Sequence, residues 1–363
     1  EAHARWCRAH VIEVLEPSPQ RVAPRCRHFG ACGGCHYQHL EPGAQPAAKQ
    51  DIVRAQLERL GGFRDPPVEE TVAGTSSWNT RNHIQFSLTP DGRLGFQAGA
   101  SNEVIAIQEC HLPAPALNEL WPALQLEAGA GIDRLALRCA GDETLIVFHA
   151  ADDPDVELEL ALRASAVWLS PQGMHVLAGE PALVHSVRGR LFRVSPASFF
   201  QAHAELTPAL VDLVLRAAQP QPGQTAFDLY AGVGLFSTFL AELGLRLLAV
   251  EHSAAACQDF AFNLESFEHV DLYQASVEQA LGSLDAHPDV VIVDPPRAGL
   301  GREVVEALLL HAPPRLVYVS CDPSTLARDG KLLSASGYRL ETVTPIDLFP
   351  QTFHIETVSL WTR

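Results

Sequence analysis

The feature that most constrains this 363-residue chain is a change of pattern at about Gln224, where mostly apolar runs begin to alternate with helical segments. TAFDL, RLLAVE, DVVIVD and LVYVS are each followed by a turn and a stretch of helical character. Runs of this kind between helices predict a parallel sheet covered on both faces. A short third strand at 271–275, a strand near 338–344 and a last one at 357–361 complete the expected sheet. In such sheets ligands and chemistry gather where the carboxyl ends of strands open into loops.

Several of these strand ends carry informative residues. The first runs into DLYAGVG, a tight turn with Tyr230, Gly232 and Gly234. A dinucleotide site would show a third glycine in G-x-G-x-x-G, but Ser237 stands there and Asp228 lies on the strand itself. The second strand ends in Glu251, which suits a ribose hydroxyl pair and would otherwise be a helix-start acid. This set favours S-adenosylmethionine, whose cationic sulfonium tolerates neighbouring acids and which has no pyrophosphate to cradle. The fourth strand ends in DPPR at 294–297. Amino-group methylases carry a similar Asp-Pro-Pro-aromatic stretch, but Arg297 replaces the aromatic ring.

The fifth strand ends at Cys321, within LVYVSCDPSTLARD at 316–329. A cysteine at a strand end is usually a small packing residue. Its company alters that reading, because FPQTFHIET near the carboxyl end supplies Glu356. A thiol and an acid are the equipment for alkylating carbon 5 of uracil. A thiolate adds to carbon 6, the resulting enolate takes the methyl group, and a base removes the proton at carbon 5 so that the thiol can leave.

The first half reads differently. Residues 5–16 look like a lone β-strand, which is not stable by itself and predicts the end of a small β-domain. The chain starts at Glu1 and has one methionine, Met174, so an amino-terminal piece is expected to be missing. Next comes Cys26-x5-Cys32-x2-Cys35, with Cys110 as the best fourth ligand. Three thiolates plus a remote one can hold a [4Fe–4S] cluster or one zinc ion; three-plus-one spacing favours the cluster. Radical chemistry on S-adenosylmethionine normally uses Cys-x3-Cys-x2-Cys instead. His28, His36 and His39 read as ordinary loop residues, and Cys7, Cys139 and Cys257 as packing residues. Residues 49–60 predict an amphipathic helix with apolar positions 52, 53, 57 and 60, stopped by Gly61-Gly62. Hairpins are expected around Asp91-Gly92 and Gly141-Asp142, then a helix at 204–218.

Composition sets the remaining limits. With 47% apolar residues, a chain of this length can build two or three real cores. No run of eighteen apolar residues predicts a membrane span, no leader predicts export, and the expected setting is the cytoplasm. A net charge of −17 argues against coating nucleic acid by bulk electrostatics, so RNA binding would need local arginine patches.

The combination of CRHFGACGGC with Cys110, SFFQ, DLYAGVG, VDPPRAGL, YVSCDPSTLARD and FPQTFHIET resembles the RNA uracil-5-methyltransferases, specifically the iron–sulfur-containing 23S ribosomal RNA branch. The resemblance spans residues 25–363. It implies a [4Fe–4S] cluster on Cys26, Cys32, Cys35 and Cys110, and S-adenosylmethionine contacts from Gln201, Tyr230, Glu251 and Asp294. It implies Cys321 as nucleophile and Glu356 as base. The family often has Asn where Leu235 follows the second glycine, and Ser276 stands where some relatives place Asn or Asp beside the adenine. The implied fold is α/β in three parts. Residues 1–24 would end an oligonucleotide-fold TRAM barrel, 25–193 would form a central α+β iron–sulfur domain, and 194–363 a class I, Rossmann-like methyltransferase domain. A monomer would bind 23S ribosomal RNA between the last two, with its uridine flipped. Transfer RNA methylation, an inert metal-bound RNA-binding module, and an amino-group methylase are the alternatives.

Overall fold

A computed structural model describes residues 11–152 and 164–363. Helix α1 (Gln45–Gln56) precedes a sheet built from β1 (His83–Leu88), β2 (Leu94–Gln97), β3 (Val104–Ala106), β4 (Arg134–Ala140), β5 (Glu143–His149), β6 (Ser165–Ser170) and β7 (Gly173–Ala178). The short helix α2 (Pro115–Leu120) packs on it, and the order is β3-β2-β1-β4-β5-β6-β7. Both expected hairpins form: Leu88 pairs with Leu94 across the Asp91-Gly92 turn, and Ala140 pairs with Glu143 across Gly141-Asp142. Cys139 and Cys257 are buried, as expected of packing residues; Cys7 lies outside the described residues.

A hairpin of β8 (Leu183–Val187) and β9 (Arg190–Val194) leads to α3 (Thr207–Ala218) and the second sheet. Its elements are β10 (Thr225–Leu229), α4 (Leu235–Glu242), β11 (Arg246–Glu251), α5 (Ala254–Asn263), β12 (Val270–Gln274), α6 (Val277–Leu281), β13 (Val290–Val293), α7 (Gly301–His311), β14 (Arg315–Ser320), α8 (Pro323–Ala335), β15 (Arg339–Ile346) and β16 (Glu356–Thr362). The order is β12-β11-β10-β13-β14-β16-β15. The first five are parallel, and β16 inserts antiparallel to both β14 and β15. Alternate residues feed two cores: Phe227, Leu229, Leu316 and Tyr318 point to one, Ala226, Ile292, Val317 and Val319 to the other. Burial on both faces explains why these strands read as nearly continuous apolar runs.

Two expectations need correction. Residues 11–16 carry no strand and are exposed, with Ile12 100% and Leu15 81% accessible. No neighbour among the described residues pairs with them, and an unpaired strand has no ladder to hold it. Helix α1 starts earlier than the expected residue 49 and passes at Leu57 into a wider turn that ends on Gly62, which leaves Leu60 half exposed. The buried side of α1 is formed by Gln45, Lys49 and Val53, with Leu57 continuing it, a spacing of one turn per step. This face packs on α8 and β15, and residues 68–72 run beside β15 through Val68–Val343 and Val72–Ile346 bridges. Residues 45–72 therefore pack on the second sheet.

Candidate functional site

A cavity of about 720 Å³ opens at the carboxyl ends of β10, β11, β13 and β14. Gln201, Tyr230, Gly232, Leu235, Glu251, Asp294, Cys321 and Glu356 all line it. Gly234 and Ser276 do not. Gly234 stands at the start of α4 with φ +88°, where a Cβ would come within 2.4 Å of Leu264 and 2.9 Å of Phe260, so its contribution is the turn itself. Ser276 caps α6, its hydroxyl accepting from the Gln279 N–H at 3.4 Å.

The turn after β10 is tied to the neighbouring strand end. One Glu251 oxygen accepts from the Gly232 N–H at 2.9 Å and the other from the Ser253 N–H at 2.6 Å. Tyr230 adopts φ +65°, a conformation costly for a bulky residue and found mostly where surroundings enforce it. Behind the turn, the Ser237 hydroxyl donates to the fully buried Asp228 at 2.6 Å. That bond gives a physical reason for serine at the position where a dinucleotide site would have glycine. Burial, with Glu251 adding to it, pushes the Asp228 carboxyl up to about 7 against the opposing Ser237 bonds.

Strand register joins the two residues that sequence had placed 35 positions apart. Ser320 pairs with Thr357 at the end of the antiparallel β14–β16 ladder, and Cys321 and Glu356 are the residues next to that pair. The two are near enough for the Glu356 carboxyl to act on the Cys321 thiol. Burial, then Glu356 and Asp294, pushes the Cys321 thiol up to about 12, with Arg297 opposing. Burial and neighbouring Asp228 raise Asp294 to about 7. Glu356 rises well above the usual carboxylate range through burial and then Asp294.

Several wall residues were not assigned from sequence. Phe199, Phe200, Arg297, Phe349 and His354 line the cavity, and Arg297 contacts the His354 ring at 3.3 Å. The 195–201 segment is held from both sides. Ser195 and Ser198 hydroxyls donate to buried Asp259 of α5 at 2.7 and 2.6 Å, while Arg138 of β4 donates to the Ser195 and Ser198 carbonyls at 3.2 and 2.8 Å. A serine pair beside a prolinated turn gives little sequence signal of such a clamp.

Cys26, Cys32, Cys35 and Cys110 line a separate cavity of about 280 Å³, together with His28 and Arg81. All four thiols are free, and burial raises each, Cys110 to about 12. Gly33 lets the loop lie on β2: its N–H donates to the Gln97 carbonyl at 2.9 Å, and a Cβ would come within 2.8 Å of that oxygen. His36 and His39 do not line the cavity. Among the described residues, no group of three or more His, Cys, Asp or Glu side chains is arranged to hold a metal ion.

The model of the tRNA (Uracil-5-)-methyltransferase family matches residues 181–363. An uncharacterised RNA methyltransferase of Streptomyces coelicolor is 34% identical, over 99% of this chain and 83% of its own length. This chain belongs to the RNA uracil-5-methyltransferases. A protein of Thiobacillus denitrificans named 23S rRNA (uracil(1939)-C(5))-methyltransferase is 33% identical, over 99% of this chain and 90% of its own. The Pyrococcus abyssi tRNA (uracil-54, C5)-methyltransferase, solved with S-adenosyl-L-homocysteine, shares the fold with a TM-score of 0.72 at 24% identity, covering 96% of this chain and 88% of that one. The methyltransferase is thus an S-adenosylmethionine-dependent enzyme acting on RNA uracil. Among its described residues, no helix is long and apolar enough to cross a membrane.

Proposed function

We propose that this methyltransferase methylates carbon 5 of a uridine in 23S ribosomal RNA, through addition of Cys321 to carbon 6 and proton removal by Glu356. What supports the reading is that Cys321 and Glu356 follow the last pair of the β14–β16 ladder and line the same cavity. Gln201, Tyr230, Gly232, Leu235, Glu251 and Asp294 would take S-adenosylmethionine along the adjoining wall, with Glu251 at the ribose hydroxyls. Burial favours the protonated Cys321 thiol in the free protein, and its proton passes to solvent in the open cavity as the sulfur–carbon 6 bond forms on the flipped uracil. The enolate then takes the methyl group, and Glu356 receives the carbon 5 proton, freeing the thiol. A raised carboxyl suits that last step, since a base with proton affinity near the working pH is the better acceptor.

Cys26, Cys32, Cys35 and Cys110 would hold a [4Fe–4S] cluster. What supports it is that all four thiols line one cavity of about 280 Å³ and that their three-plus-one spacing is the usual one for a cluster. Burial disfavours free thiolates there, and bound iron would supply the charge that deprotonates them. Such a cluster would order the 26–35 loop against β2. The organisation read is 1–24 as the end of a TRAM-like domain, 25–193 as the central cluster domain, whose residues 45–72 pack on the second sheet, and 194–363 as the methyltransferase domain, acting as a cytoplasmic monomer.

Full-length relatives named for 23S ribosomal RNA support the substrate class; the family's own description names transfer RNA and supplies the competing reading. In-vitro transcripts of both RNAs, methylated side by side with labelled S-adenosylmethionine, decide between them. The expected result is labelling of 23S RNA, and a 5-fluorouridine version that stalls as a covalent adduct on Cys321. Labelling confined to transfer RNA, or turnover without any adduct, would overturn the respective half of the reading.

A further inference from the structure

Lys49 of α1 has 0% exposure, one of two lysines in the chain. Its ammonium donates to Asp347 Oδ1 at 2.6 Å, the Phe349 carbonyl at 2.9 Å and the His354 carbonyl at 2.8 Å. An ammonium has three N–H donors, and all three go to one loop, residues 347–354, which leads into Glu356. One helical turn earlier, the Gln45 amide exchanges two 3.0 Å hydrogen bonds with Gln351, whose carbonyl accepts from the His36 and Tyr37 N–H groups at 2.8 and 3.0 Å. Gln351 has φ +66°, so the loop adopts a conformation that needs such outside support. Phe349 and His354 line the reaction cavity with Glu356.

Stability alone does not call for this arrangement. Burying an ion pair costs desolvation that its attraction often only offsets, and well-packed apolar side chains would fill the space at least as well. What apolar residues would not do is fix two carbonyls on either side of a turn. We infer that Lys49 is a positioning residue, holding the 347–354 loop so that Glu356 meets carbon 5 of the methylated adduct. The inference rests on the reading of Glu356 as base. Lys49 reaches the reacting atoms only through the loop, and its loss should weigh most on proton removal.

The test compares wild type, Glu356→Gln, Lys49→Met and the pair variant Lys49→Met/Asp347→Leu, which leaves no buried charge unpaired. Melting temperature and S-adenosylhomocysteine affinity are measured on each. Turnover of a 23S transcript is followed with labelled S-adenosylmethionine, and covalent adduct is counted on denaturing gels. The pair variant is expected to melt near wild type and bind S-adenosylhomocysteine within a factor of about two. It should lose turnover by about a hundredfold, the effect of an ångström-scale misplacement, while methylated adduct accumulates. Parallel losses in cofactor affinity, adduct formation and turnover would mark a merely structural pair and overturn the inference, as would failure of the pair variant to fold. Glu356→Gln that stalls beside a pair variant that does not would remove Lys49 alone. Full turnover in Glu356→Gln would remove the base, and the inference with it.

Discussion

Both cavities are lined by cysteine thiols raised by burial, and they differ in what stands beside the sulfur. In the smaller one, four thiols line the wall together with Arg81, whose Nε has no hydrogen-bond partner among the described residues. In the larger one a single thiol faces two carboxyls, Asp294 and Glu356, with Arg297 opposing them. Burial is the leading cause in both, so burial does not distinguish a ligand from a nucleophile. Neighbours do. Several thiols on one wall beside a cation would suit the proposed cluster, whereas a thiol beside an acid with raised proton affinity would suit the proposed cycle of addition and elimination.

The largest expected effect tests the reaction cavity. Cys321→Ala should bind RNA and S-adenosylhomocysteine, yet give no covalent species and no detectable turnover, because no enolate arises without thiolate addition. Glu356→Gln should lose turnover by about 10² to 10⁴-fold, the usual range for a general base, and accumulate methylated adduct that survives denaturing gels. Opposite stalling points in the two variants would separate the roles of the two residues.

The smaller cavity should answer differently. Protein purified without oxygen is expected to be brown with iron and sulfide, and Cys26→Ser to lose that colour and melt several degrees lower. Stoichiometric zinc without iron would reject the cluster. A fourth measurement returns to the acids. Glu356 must be ionised to accept a proton, and burial with Asp294 raises its affinity for protons, so turnover is lost as pH falls through a raised value. Asp294→Asn removes the like charge and should move that acid limb to lower pH in a pH profile of single-turnover rates. The smallest effect belongs to Ser276→Ala. It should cost about 1 kcal/mol in denaturant unfolding, as a lost helix cap does, and leave the KM for S-adenosylmethionine unchanged. A raised KM would instead place Ser276 at the adenine.

Much of this was legible in the chain. Buried strands between helices have a period of their own, and the strands of the second sheet appear near their expected positions, with Gly232, Glu251, Asp294 and Cys321 at or just beyond strand ends. Lys49 was legible in principle: it falls four residues before Val53 and eight before Leu57 on the buried side of α1, a place where a lysine needs a partner. Asp259 with Ser195 and Ser198 gave no such sign, since their bonds cross 61 to 64 residues. The expected strand at 5–16 showed the reverse failure over its described part, residues 11–16: local alternation was present, but pairing is a property of neighbours.

The sequence by itself determined the element types, the glycine turn and the chemical inventory, because these depend on local sterics and periodicity. Which residues meet was decided only by tertiary structure. The antiparallel insertion of β16 between β14 and β15 brings Glu356 to the end of the ladder where Cys321 follows β14, and the packing of α1 on the second sheet brings Lys49 to the loop before it. Neither follows from spacing, since a ladder register and a helix docking are fixed by the side chains of every strand and helix they touch.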